Sequence, residues 1–384
     1  MRENAVVCGM IRTGEFLMNG TLVSEKVMKK NLMWFVLAAF LSCAIAQEEP
    51  ISPVGVQKDA DASQFPPIVP KVPITPLDAP AGTWTLAVLP DTQSYVQRYP
   101  EAFVRQTQWL ASNKMGQNIL FVAQEGDVTN DNNAEQWQRA RQAMEKLNEA
   151  KIPYFLTTGN HDLGEGGNCL TRSTRLNDYF QESDYASSKA HGLFEAGHLE
   201  NSWHEFETPT GKFLILGIEF APRDAVVAWA DKIISEHPDH KVIVVTHAYL
   251  YSDNTRYDWD NRKREQRASP RGYAVGKEPG MNDGEDMWEK LISKHANILF
   301  VLSGHVTGTG FGYLASKGGK GNSVHQILAN YQSGVNPPKG YGGGGYMRLL
   351  QFLPDGKTVR VRTYSPLYDL WMKDPTQQFD LSLE

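Results

Sequence analysis

The sequence predicts an α/β protein in which two sheets share one domain. Three observations carry this. Short apolar runs alternate with helical stretches from Trp84 onward. The runs are continuously apolar, as expected of strands covered on both faces. The last seventy or so residues instead show alternating strands and Gly-rich spacers, which read as antiparallel β.

The first residues stand apart from that pattern. From Met28 the chain reads MKKNLMWFVLAAFLSCAIAQEEP. Lys29 and Lys30 form a basic head, and residues 32–42 are apolar but short for a bilayer span. Ala44-Ile45-Ala46 is a small-x-small cleavage site. Cleavage after Ala46 is expected to leave Gln47 at the N-terminus of a secreted or periplasmic protein. Residues 1–27 show no structural pattern, and Met28 is the expected start. The alternatives are an uncleaved anchor, or a lipoprotein site at Cys43, which Phe40-Leu41-Ser42 fits poorly.

Cleavage removes Cys8 and Cys43, so only Cys169 remains and no internal disulfide is expected. It also removes five basic and three acidic residues, leaving 33 and 41 and a net charge of −8. With no block of like charge, nothing favours a nucleic-acid partner or an anionic membrane. Residues 47–82 hold eight prolines between Pro50 and Pro80 and read as an extended linker. Residues 83–384 form the expected domain.

Within it, WTLAVLP is a short strand. Residues 100–114 have helical spacing, with Phe103, Gln106, Trp109 and Leu110 near one face. NILFVAQ is a second strand. NAEQWQRARQAMEKLNEA has no breaker and reads as a long helix. IPYFLTT is a third strand, and KVIVVTH and ANILFVLSGH follow, each after a helical stretch. Pro354-Asp355-Gly356-Lys357 reads as a hairpin turn, and GYGGGGY at 340–346 as a flexible loop.

Each apolar strand ends on polar groups: Asp91-Thr92-Gln93, Asp127 through Asp131, Gly159-Asn160-His161-Asp162, Thr246-His247 and Gly304-His305-Val306-Thr307. The carboxyl ends of neighbouring strands in an α/β sheet share an edge where ligands bind. Asp, Asn and His gathered there suit a metal: Asp can bridge two cations, His gives nitrogen and Asn a neutral oxygen. Taken singly, each fragment also reads as a turn, a helix cap or a packed histidine. Their order, one after each strand, is what points to a site.

In this order the motifs resemble those of the calcineurin-like metallophosphoesterases: Asp-x-His, Gly-Asp-x-x-Asp/Asn, Gly-Asn-His-Asp/Glu, a lone His and Gly-His-x-His. The resemblance covers roughly residues 84–365. GDVTN and GNHD match well, while Gln93 and Thr307 stand where the family has histidines. The PDTQ start and the tail from GNSVHQILANYQS to VRTYSP also resemble exported bacterial members. The resemblance implies a four-layer α-β-β-α sandwich of two mixed sheets, with a metal site at the carboxyl ends of the strands.

It further implies that Asp127 bridges two metals, that Asn160, His247 and His305 complete one shell, and that Asp91 and Gln93 hold the other, with Thr307 beside it either as a stand-in for the second histidine or as a substrate contact. His161 would be the general acid or a phosphoryl contact, oriented by Asp162, and Asn130 would fix its loop or bind substrate. The His-rich position suits Mn, Fe or Zn, and the oxygen-rich one Mg, Mn or Ca. The expected activity is hydrolysis of a phosphate mono- or diester by a metal-activated water. The alternative is a single-metal binder of phosphorylated ligands. Residues 251–272 read either as a substrate loop, with Arg256 meeting a phosphate, or as a solvated loop. No Gly-x-Ser-x-Gly elbow supports a serine hydrolase.

Overall fold

The computed structural model describes residues 15–18, 21–24, 80–261, 265–332 and 341–384. The expected leader at residues 28–46, Gln47 and the proline-rich stretch up to residue 79 lie outside the described residues. The chain divides into Met1–Gln57 and Lys58–Glu384. In the first unit, β1 (Glu15–Met18) pairs antiparallel with β2 (Thr21–Ser24). The sequence reading expects no structure before Met28. Asn19-Gly20, which stands between these two strands in the sequence, is a dipeptide favoured in hairpins.

The second unit holds two seven-stranded sheets. In the first, β3 (Trp84–Leu89), β4 (Ile119–Gln124) and β5 (Tyr154–Phe155) are parallel neighbours. The second has a parallel centre of β8 (Gly211–Ile218), β9 (Lys241–Thr246) and β10 (Ile298–Ser303). There β6 (Ala190–Glu195) and β7 (His198–Thr208) extend one side as an antiparallel meander. At the other side β12 (Ser323–Ala329) lies between β10 and β11 (Phe311–Lys317). Antiparallel β13 (Met347–Phe352) and β14 (Thr358–Ser365) continue the first sheet beyond β3. Both β15 (Leu370–Trp371) and β16 (Phe379–Ser382) pair with β14.

Side-chain alternation sorts the central strands into two cores. On β8, Phe213 and Ile215 join the core between the sheets, while Leu214 and Leu216 join the outer one. The same split holds on β9 and β10, with Ile243, Val245, Phe300 and Leu302 inward and Val242, Val244 and Val301 outward. Trp84 fixes the inner layer: its ring stacks on Phe352 at 4.0 Å and meets Phe213 edge-on at 4.8 Å. Truncating so buried an aromatic costs about 3–5 kcal/mol. The outer face of the second sheet is covered by α4 (Asp224–Glu236), through Val226, Ala230 and Ile234, and by α5 (Gly284–Lys290), through Met287. The first sheet is covered by α2 (Pro100–Ser112), through Phe103 and Leu110, and by α3 (Ala134–Glu149), through Trp137, Ala140 and Met144. This is the expected four-layer sandwich.

Three details differ from the expectation. The third strand is only two residues long, because the chain leaves the ladder: Leu156 N bonds to the Tyr185 hydroxyl and Thr157 Oγ1 to the Glu200 carbonyl. The segment NSVHQILA was expected to be antiparallel, and β12 is so against β11, but it runs parallel to β10, because the chain first passes out to the edge as β11 and returns. The meander β6–β7–β8 was missed, although Gly197 and Gly211 mark its turns. The tail hairpin forms as expected. Asp355 Oδ1 accepts from the N–H groups of Lys357 and Thr358, and Gly356 has φ +70°.

Candidate metal centre

The polar residues gather where β3, β4, β5, β9, β10 and β12 end. Asp127 follows β4 in a left-handed conformation, φ +49°, which is uncommon for a residue other than glycine. Its loop is held from the side by α3. Asn133 caps that helix, accepting from Gln136 N at 3.0 Å, a contact worth about 1 kcal/mol. The Gln136 Oε1 in turn accepts from Asn130 N and Asp131 N. Gly304 lets β10 end against Asp91, since a Cβ there would stand 2.1 Å from Asp91 Oδ1. The next residue, His305, also has positive φ, +70°.

Asp127, His247 and His305 converge, with one ligand atom from each lying within 4.8 Å of the others, and all three are buried. The ring of His247 is oriented by the main chain, its Nδ1 donating to the Glu125 carbonyl at 2.9 Å. His305 donates from Nε2 to the Ala268 carbonyl at 2.8 Å. The remaining nitrogens, His247 Nε2 and His305 Nδ1, then face each other at 3.1 Å, with Asp127 Oδ2 3.2 Å from His247 Nε2.

Two nitrogen lone pairs at that distance need a positive charge between them. Burial alone would pull His247 down, but the Asp127 and Asp91 carboxylates push it up to about 9. Burial and the neighbouring His247 bring His305 down to about 3. Burial pushes the Asp127 carboxyl up, but His247 and His161 outweigh it and hold the group well below the ordinary range. One proton, on His247, therefore sits where a cation fits. The adjoining Asn160 Oδ1 is buried and has no hydrogen-bond partner, as a ligand oxygen would. On chemistry and geometry this donor set fits a divalent transition metal.

Beside the cluster, Asp91 is 1% exposed and pushed up to about 7, mostly by burial and further by Asp127, against the opposing pull of His247. Its oxygens accept from His305 N at 3.1 and 3.2 Å, and Oδ2 also accepts from Asn330 Nδ2 at 2.7 Å. Gln93 opens the short helix α1 (Gln93–Arg98) and is buried there. Its Nε2 donates to Gln332 Oε1, and its Oε1 has no hydrogen-bond partner.

His161 is partly exposed at the rim. Its Nδ1 donates to the Asn130 carbonyl at 2.9 Å, and its backbone N–H donates to Asp127 Oδ1 at 2.9 Å.

Three expectations are corrected. The resemblance made Asp162 the orienting partner of His161, but the Asn130 carbonyl holds that ring. Both Asp162 oxygens are used elsewhere, Oδ2 by Val128 N and Gly159 N, and Oδ1 by Thr129 N and Thr129 Oγ1. Burial and Asp127 push that carboxyl up to about 6. Thr307, expected near the first metal, is solvent-exposed two residues beyond His305. Arg256, expected to meet substrate, forms a two-point pair with Glu285 at 2.8 and 2.9 Å, bonds to Gln326 and stacks over Trp288. Those contacts make it part of the packing under its loop. Asn130 lies at the rim, its Nδ2 turned to Asp131 Oδ1 at 2.6 Å.

Sequence reasoning missed Asn330, Gln332 and the fully buried carboxyl of Glu125, which burial and Asp91 push well above the usual range. The signal for Asn330 and Gln332 was present, as they form a sixth polar ending on an apolar strand.

Among the described residues no helix is long and apolar enough to cross a membrane. The chain is 30% identical over 314 residues to the uncharacterized protein YvnB of Bacillus subtilis (strain 168). That alignment takes in 78% of this chain but only 22% of YvnB. A solved structure titled "GAP50 the anchor in the inner membrane complex of Plasmodium" superposes with a TM-score of 0.42 at 10% identity, over 79% of this chain and 89% of that one. The sequence matches the Calcineurin-like phosphoesterase family over residues 85–307. That span is more than half of the chain and runs from the first strand of the sandwich through the turn bearing His305, so the chain belongs to the calcineurin-like phosphoesterase family.

Proposed function

We propose that the protein hydrolyses a phosphate mono- or diester with divalent metal ions, outside the cytoplasm. The observation that carries the reading is His161. Its backbone is tied to Asp127 and its Nδ1 is committed to a carbonyl, so the ring stands beside the metal cluster with Nε2 turned away from that carbonyl. A cation held by Asp127, Asn160, His247 and His305 would supply an activated water and a clamp for phosphoryl oxygens.

The chain's own residues do the rest. His161 holds a proton at Nε2 for the leaving oxygen, Asn130 keeps its carbonyl under the ring, and Asp162 holds the second and third loops together. Asp91 and Gln93 form the oxygen-rich side, suited to Mg, Mn or Ca, while the His-rich side suits Mn, Fe or Zn. Export rests on the basic head, the apolar run and Ala44-Ile45-Ala46. N-terminal sequencing of exported protein should give Gln47, and an intact Met1 overturns it.

Substitution His161→Ala should lower kcat by about a hundredfold or more on an ester found by screening, with metal content unchanged. Equal turnover by variant and parent removes His161 from the chemistry. The exposed Thr307 favours a second reading, a one-metal protein that binds phosphorylated ligands without cleaving them. A parent loaded with metal that cleaves no ester across a broad screen supports that reading.

A further inference from the structure

The segment after β12 reads Asn330-Tyr331-Gln332 and meets Asp91 from 239 to 241 residues away. Its side chains alternate, as in any extended stretch. Asn330 Nδ2 donates to Asp91 Oδ2 at 2.7 Å, and Gln332 Nε2 lies 3.5 Å from the same oxygen. Tyr331 points the opposite way, into the core. Its hydroxyl accepts from Arg348 Nη2 at 2.6 Å and Nε at 3.1 Å and donates to Gln377 Oε1 at 3.0 Å. Tyr331 and Arg348 are almost wholly buried, so the tyrosine acts as a peg that fixes where the two amides stand.

The glycine run, expected to be a flexible loop, presses on the same place. Gly342, Gly343, Gly344 and Gly345 all have positive φ, between +61° and +107°. A Cβ on Gly343 would stand 2.2 Å from the Tyr331 carbonyl oxygen and 2.9 Å from Gln332 Cα. One on Gly342 would stand 2.6 Å from the Cβ of Ser94, the neighbour of Gln93. Only main chain without side chains can pack this closely against both arms. Between them, the amides of Gln93 and Gln332 touch, and Gln93 Oε1 is buried without a hydrogen-bond partner.

A buried carboxylate beside the Gln93 and Gln332 carboxamides, with the Gln93 oxygen unpartnered, supplies hard oxygen donors once a cation replaces the contact between the amides and the Gln332 amide turns its oxygen, in place of Nε2, toward Asp91. We propose that Gln332 completes, with Asp91 and Gln93, an all-oxygen position for a hard divalent cation beside the Asp127–His247–His305 cluster, and that Asn330 is the positioning residue that holds Asp91 for it. The proposal rests on the reading of this edge as a metal centre. Gln332 takes over, from a strand late in the chain, the ligand role left open by the exposed Thr307.

The test is equilibrium dialysis of the full chain against Mn²⁺, with bound metal counted by mass spectrometry and followed by electron paramagnetic resonance. The parent should bind two ions with unequal affinity. Replacing the amide, Gln332→Leu, should weaken the looser ion by about 10- to 100-fold and leave the tighter one unchanged. The charged variant, Gln332→Glu, should tighten the looser ion by about tenfold or more. A thermal melt of each metal-free variant that matches the parent shows that folding is not the cause. Parental affinity for both ions in Gln332→Leu overturns the proposal, as does a Gln332→Glu variant with no gain. A parent that binds one ion and still cleaves esters overturns it while leaving hydrolysis in place. If two ions bind with this pattern and no ester is cleaved, the proposal stands and the hydrolytic reading fails.

Discussion

His247 and His305 take their orientation from main-chain carbonyls, those of Glu125 and Ala268, whereas Gln93 and Gln332 lean on each other and Asp91 depends on the Asn330 side chain as well as the His305 N–H. The first arrangement tolerates exchange of neighbouring side chains, because a carbonyl stays when a side chain is replaced. In the second, side chains support side chains, so a change at Gln332 or Asn330 moves Gln93 or Asp91. The two sides of one site therefore differ in robustness as well as in donor chemistry.

The sharpest break in this comparison is Asp127→Ala, because Asp127 meets His247 through one oxygen and the backbone of His161 through the other. All bound metal should be lost in dialysis and turnover should fall to background. One ion retained at parental affinity would show that the two sides do not share Asp127. A smaller effect compares the sides directly. His247→Ala should weaken the tighter ion by more than about 100-fold, and Gln93→Ala should weaken the looser one by about tenfold, both read by calorimetric titration. Equal losses would show that the two sides hold their ions alike.

The smallest effect is in protons. Metal-free His247 is pushed up to about 9, so below that pH it carries a proton that an incoming cation must displace. Carboxamides carry none, and Asp91, pushed up to about 7, is mostly ionised above that value. At about pH 8, binding at the histidine side should release about one proton per cation and binding at the amide side only a small fraction of one. Titrations in buffers of different ionisation enthalpy measure this. Equal release from both sides would contradict the assignment.

The same difference explains what was legible in the sequence. Asp127, Asn160, His247 and His305 lie within one to five residues after apolar strands, and local spacing is enough to find them. The parallel strands and long helices were legible for a similar reason, being continuous runs of one period. Gln332 shares that local mark, at the end of the apolar strand β12, but nothing local tells that it meets Gln93, 239 residues away. Arg256 was misread because an arginine in a polar loop looks the same whether it meets a phosphate or Glu285, and only the fold brings Glu285 to it. The pairing partner of β12 was equally nonlocal: the edge return through β11 leaves no mark in either strand's own pattern.

Asp162 leads to one more consequence. Its carboxylate accepts the N–H groups of Val128 and Thr129 from one loop and of Gly159 from another. Those three amides can exchange with solvent deuterium only when the clasp opens, so they should share a single opening free energy although they lie some thirty residues apart. Replacing the carboxylate, Asp162→Ala, should free the three amides to exchange separately, turning one cooperative unit of local unfolding into two.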